Sequence, residues 1–140
     1  MKPALFAFAI LLMAFSPTST VSFSDVRGSA DSNSDSITID WSTSQEDGIK
    51  DFAVEKASQL DNQFYELGRV SPTGPGSTYQ YVDKGIYKTT STSIFRYRVR
   101  ADGSDGSVDY SATITVTYTY SQSLSGVAKR TWGSIKAMFR

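Results

Sequence analysis

The stretch Phe95-Arg96-Tyr97-Arg98-Val99-Arg100-Ala101 constrains the fold more than any other part of this chain. Phe95, Tyr97, Val99 and Ala101 alternate without a break against Arg96, Arg98 and Arg100. A period of two belongs to a β-strand with one buried and one wet face. On a helix the same arginines would spiral round the axis and leave no continuous apolar side. A strand this regular needs a sheet to lie in and a second layer to cover it.

Similar signals recur along the chain. Val21–Val26 alternates weakly and reads as a first edge strand, followed by turn chemistry from Gly28 to Asp35. Ser36–Ser42 sets Ile37, Ile39 and Trp41 on one face, and Ser44–Lys50 reads as a connecting loop broken at Gly48. Phe52–Ala57 is too short to stand as a helix and reads as a strand. Phe64–Val70 is the next strand, and Ser71–Ser77, with two of the four prolines, is a loop. Thr78–Asp83 places Tyr79 and Tyr81 on a shared face. After the arginine strand, Asp102–Ser107 makes a hairpin turn. Tyr110–Tyr120 then closes the domain, with Ala112, Ile114, Val116, Tyr118 and Tyr120 on one side. About seven short strands with turns between them, and no convincing helix, predict an all-β chain: a seven-stranded antiparallel β-sandwich.

The N-terminus is of another kind. Lys2 precedes the apolar run Ala4–Phe15, which is shorter than the roughly 20 residues that span a bilayer. Small residues follow from Ser16 to Thr20. Charged start, short apolar middle and small-residue end predict a secretory signal peptide over residues 1–20, cut after Thr18 or Thr20. The sandwich then occupies residues 21–120, and a basic C-terminal tail residues 121–140. The expected mature chain is exported, to the cell surface or periplasm, with no transmembrane span.

Composition narrows the chemistry. The chain has no Cys and no His, which removes disulfides, thiolate nucleophiles and the commonest general base and metal ligand. Fourteen basic residues balance fourteen acidic ones, but unevenly along the chain. Residues 21–110 carry nine basic and fourteen acidic side chains, whereas residues 111–140 carry four basic and no acidic ones. The end of the chain is a separate electrostatic object.

The run Ile37-Thr38-Ile39-Asp40-Trp41, then Phe52-Ala53-Val54-Glu55, then Tyr97-Arg98-Val99-Arg100-Ala101, resembles a fibronectin type III domain, an immunoglobulin-like sandwich. It is most similar to bacterial versions near the C-termini of large secreted proteins of the Bacteroidota, through Trp41–Glu46, Phe52–Lys56, Phe64–Val70, Tyr81–Asp83, and Asp105-Gly106 with Tyr110-Ser111. The resemblance covers roughly Val21 to Tyr120. It implies the seven-stranded sandwich and a surface module, and it leaves the ligand open, because this architecture hosts many roles. Arg27-Gly28 is followed by Ser29, so the family's Arg-Gly-Asp adhesion tripeptide is absent.

Several clusters are candidate sites. Trp41, Tyr97 and Val99 read as core, with Tyr97 in place for the hydroxyl-to-backbone bond of a tyrosine corner. Arg96, Arg98 and Arg100 form a basic row that could grip an anionic ligand or pair across strands with Glu55 and Glu66. Asp102, Asp105 and Asp109 suggest a Ca²⁺ loop but depart from EF-hand spacing, since Gly106 falls on a ligand position and no distal Glu follows. Glu46, Asp47 and Asp51 are the other carboxylate cluster, and neighbours on one loop do not face each other across a groove as a glycosidase requires. No catalytic group, cofactor or metal is expected. In the tail, Ala128, Trp132, Ile135 and Phe139 would share a helical stripe, beside Lys129, Lys136 and Arg140, with Arg130 further round. Such a segment suits a partner's groove or an anionic envelope surface, although Gly133 weakens a helix. The expected protein is a non-enzymatic binding or spacer module. The alternatives are a tail-docked subunit of an envelope assembly and a small carbohydrate-binding or carbohydrate-active protein, the last favoured by an outward-facing Tyr65, Tyr79 or Tyr87. Nucleic acid is not an expected partner.

Overall fold

The computed structural model describes residues 17–86 and 92–120. The apolar run Ala4–Phe15, Tyr87 and the tail lie outside these residues. The strands are β1 (Thr20–Asp31), β2 (Ser36–Asp47), β3 (Ile49–Ser58), β4 (Tyr65–Val70), β5 (Thr78–Asp83), β6 (Ser93–Gly103), β7 (Val108–Tyr110) and β8 (Ile114–Tyr118). Among the described residues there is no helix. Two antiparallel sheets face each other: β1-β2-β5, and β4-β3-β6 with β7 and β8 both on the far side of β6.

The alternation places the core as expected. Ile37, Ile39 and Trp41 from β2 meet Phe52 and Val54 from β3 and Tyr97, Val99 and Ala101 from β6, all buried. Phe52 lies at the centre, its ring 5.0 Å from Tyr79, 6.0 Å from Trp41 and 6.1 Å from Phe23. Tilted and edge-on aromatic contacts of this kind favour the pairing of ring edges with ring faces. No helix among the described residues is long and apolar enough to cross a membrane.

Three expectations are corrected. The turn expected from Gly28 is strand as far as Asp31, because β1 stays paired with β2 through Asp31 opposite Ser36, which leaves only residues 32–35 to turn. The loop over Ser44–Lys50 is mostly strand: β2 runs to Asp47 and β3 begins at Ile49. Gly48 alone makes the turn, at φ 65°, a region that costs glycine little. The single closing strand is two, which makes eight strands rather than seven. Arg100 lies opposite Tyr110 and Tyr97 opposite Ile114, so three steps along β6 are matched by four along the closing segment. The extra residue sits at Ser111–Thr113, where Ser111 Oγ accepts from the Val99 amide at 2.8 Å in place of a ladder carbonyl. A one-residue slip turns every later side chain to the other face. Tyr110 and Ala112 are therefore exposed, while Val116 and Tyr118 are buried.

Candidate functional site

Three of the polar clusters expected from the sequence fall on described residues, and the sandwich disperses the two carboxylate ones. On the outer face of the larger sheet, Glu55 of β3 lies opposite Arg98 of β6. Its carboxylate takes Arg98 Nε at 2.7 Å and Arg100 Nη1 at 2.6 Å. Arg100 also reaches Glu66 at 2.9 Å and Asp102 at 2.7 Å. Arg69 joins the same group through Glu66 at 2.8 Å and Asp102 at 3.0 Å. The hydrogen bond to Asp102, ahead of the other nearby carboxylates, holds the Arg100 guanidinium pKa above its ordinary value. In return Arg100 holds Asp102 low, and Arg69 does the same for Glu66. Arg96 donates instead to neutral acceptors, the Asp61 carbonyl at 3.1 Å and Asn62 Oδ1 at 2.8 Å. Arg98 and Arg100 thus belong to an ionic network that runs across the sheet, in which an incoming anion would have to displace Glu55, while Arg96 stands outside it.

Arg98 has a second environment. Its guanidinium stacks between the rings of Phe64 and Tyr110, 4.1 and 4.0 Å from their centroids. Phe64 just precedes β4, and Tyr110 is on β7, turned outward ahead of the bulge. A planar cation between two aromatic faces is held by charge–quadrupole attraction on both sides.

The carboxylate clusters do not converge. Asp102 belongs to the arginine network, while Asp105 accepts from the amide and hydroxyl of Ser107, at 2.9 and 2.6 Å. These Ser107 bonds, with a further one from the Ser19 amide, hold the Asp105 carboxyl well below the ordinary carboxylate range. Glu46 turns inward, where it accepts from the hydroxyls of Thr43 and Tyr79 and from the Gly74 amide. Asp47 is exposed beside Gln45, and Asp51 faces Arg69. Among the described residues no group of three or more acidic side chains is placed to hold a metal ion.

Tyr97 departs from the tyrosine-corner expectation. Its hydroxyl donates to Asp83 Oδ2 at 2.8 Å rather than to a backbone carbonyl. Lys56 Nζ reaches the same oxygen at 2.7 Å, and the Gly85 amide binds Oδ1 at 2.8 Å. Burial, and then this hydrogen bond, push the Tyr97 phenol far above its ordinary value. The Lys56 ammonium also sits 4.3 Å from the centroid of Phe95. Above this floor opens a cleft of about 520 Å³, lined by Lys56, Ser58, Tyr65, Leu67, Gly85 and Phe95. Tyr65 is 53% exposed at its rim, with its hydroxyl on Asp61 at 3.0 Å. Tyr79, in contrast, is buried against Trp41.

The cleft was not anticipated from the sequence. The available signal was Lys56, two residues beyond Val54 in the alternation and therefore on the core face, where a cation needs a partner. The tail residues Lys129, Arg130, Trp132, Ile135, Lys136, Phe139 and Arg140 lie outside the described residues. No protein-family model matches the chain, and no curated protein matches it significantly.

Proposed function

We propose that this chain is an exported, non-enzymatic β-sandwich of the fibronectin type III kind, serving as a binding or spacer module at a bacterial cell surface or in the periplasm. The strand order supports the sandwich type: β1-β2-β5 opposes β4-β3-β6-β7/β8, with Trp41 on the second strand and Tyr97 on the sixth. Taken together, β7 and β8 act as one interrupted seventh strand along β6. The observation that carries the binding reading over a catalytic one is the engagement of the acidic side chains. Glu46, Glu55, Glu66, Asp83 and Asp102 are each bonded to the fold's own donors, and no two face each other across the cleft as an acid–base pair.

The tail supplies the proposed attachment, to a protein groove or an anionic surface. The test is co-sedimentation with anionic vesicles across a salt series, beside pull-downs from envelope extract, using the exported chain with and without Val127–Arg140. Salt-sensitive vesicle binding with a blue-shifted Trp132 supports surface attachment, since each basic residue near an anionic membrane contributes about 1 kcal/mol. A tail-dependent protein partner supports the subunit reading. Identical behaviour of both forms refutes attachment through the tail.

Sugar binding is a second reading, favoured by the half-exposed Tyr65 above an open cleft. Aromatic rings with one free face suit the apolar side of a pyranose. Titration of mono- and disaccharides against the wild type and Tyr65→Ala, followed by amide NMR shifts at Phe95 and Leu67, tests it. An unchanged spectrum at millimolar sugar refutes it.

A further inference from the structure

Among the described residues, Ser19 is the first that the fold grips. Pro17 and Thr18 are exposed and belong to no strand, whereas β1 begins at Thr20, opposite Asp47. The Ser19 nitrogen donates to Asp105 Oδ2 at 2.9 Å, across 86 residues of chain. Its hydroxyl donates to the Gly48 carbonyl at 2.9 Å, and the same carbonyl takes the Ser104 amide at 2.8 Å. Two turns, at Gly48 and at Gly103–Ser107, thus form a cradle at one pole of the sandwich with Ser19 seated in it. The fit is close: a Cβ on Gly103 would come within 2.6 Å of the Ser19 Cβ.

We infer that the leader is removed between Thr18 and Ser19, and that the new α-ammonium of Ser19 forms an ion pair with the Asp105 carboxylate. The inference rests on the export reading above. It decides between the two small-residue positions that the sequence leaves equal, Ser16-Pro17-Thr18 and Thr18-Ser19-Thr20. A cut after Thr20 would discard both Ser19 bonds and the first pair of β1 with β2. A cut after Thr18 keeps all of them. It also replaces a neutral amide N–H with a full positive charge beside an anion. Charge-assisted hydrogen bonds are shorter and stronger than neutral ones.

The reaction is hydrolysis by a leader peptidase. The Thr18 carbonyl carbon gains hydroxyl from water as its bond to the Ser19 nitrogen breaks, and that nitrogen takes the remaining proton. At neutral pH the freed amine binds a further proton, since an ordinary α-amino group has a pKa of about 8. The hydrogen bonds from Ser107 and from the Ser19 nitrogen favour the anionic form of Asp105, so the counter-ion faces the new amine.

The test is the intact mass of the full chain after export from a bacterial host, with the N-terminal residue confirmed by peptide sequencing. A chain beginning at Ser19 is the expected result. A chain beginning at Val21, or at any other leader position, overturns the inference while leaving export standing. A chain that keeps Met1 overturns the inference, and recovery of that chain in the cytoplasmic fraction instead of the envelope or medium refutes the export reading as well. The ion pair is read separately, by following the Ser19 amine with pH by NMR. Its pKa should lie above the ordinary α-amino value in the wild type and return to it in Asp105→Asn. An unshifted amine in the wild type overturns the pairing.

Discussion

Replacing Asp83 with alanine removes the acceptor that holds the floor of the cleft together. Its carboxylate, 4% exposed, accepts from Lys56 Nζ, Tyr97 Oη and the Gly85 amide, at 2.7, 2.8 and 2.8 Å. Asp83→Ala strips all three donors at once. The Lys56 side chain is only 15% exposed, so water cannot fully replace the lost partner. Removing one member of a buried ion pair costs about 3–5 kcal/mol, because the other charge stays desolvated. A domain this size holds about 5–15 kcal/mol in all, so the variant should sit near the edge of folding. Replacing both charges, as Lys56→Met with Asp83→Leu, should recover most of the loss, since apolar groups of similar volume are often neutral substitutes for a buried pair. Lys56→Met alone, Asp83→Leu alone and the two together form a cycle whose coupling should exceed about 2 kcal/mol. Urea denaturation at pH 7, read by far-UV circular dichroism, measures it. The reasoning is wrong if Asp83→Ala falls within about 1 kcal/mol of the wild type, or if the two single losses simply add. Tyr97→Phe belongs to the same series and should cost about 1.5–3 kcal/mol, because its acceptor is charged.

Other expectations follow from the same geometry. Trp41→Ala should cost about 3–5 kcal/mol by cavity formation, and Trp41→Phe far less, since the buried Trp41 Nε1 has no hydrogen-bond partner to lose; equal denaturation midpoints for Trp41→Ala and the wild type would contradict the packing. Arg98→Lys should lose about 1 kcal/mol, because an ammonium cannot lie flat between Phe64 and Tyr110 while binding Glu55 in the same way. With Asp102 and Glu66 held low by Arg100 and Arg69, their contribution is present above about pH 4 and lost as pH falls through the folded values. Arg100→Met should therefore flatten the acid limb of a midpoint-versus-pH curve, and an unchanged limb would remove the network from the stability of the fold. At the other end, the Asp35 carboxylate pushes the Tyr118 phenol up to about 12. That stability is complete below about pH 10 and lost as pH climbs towards the folded value, a limb absent from Tyr118→Phe.

The sequence by itself determined the strand faces. Ile37, Ile39, Trp41, Phe52, Val54, Tyr97 and Val99 are all buried, as the period-two alternation required, because the pleat is a local property of the backbone. Cross-strand pairing of Glu55 with Arg98 and Arg100 was likewise legible, since charges on the same wet face of adjacent strands lie within reach, and Glu66 reaches Arg100 from β4 across the intervening β3. Register was not. Ala112 continues the alternation of Ile114, Val116 and Tyr118, yet the bulge at Ser111 turns it and Tyr110 to solvent. Nothing in that segment announces the slip, because it depends on Val99, a residue of another strand, finding Ser111 as its acceptor. The same holds for Asp83, Lys56 and Tyr97, and for Ser19 and Asp105, which are far apart in the chain and meet only when the two sheets close. Alternation tells each residue which way to face; only the closed sandwich decides what it faces.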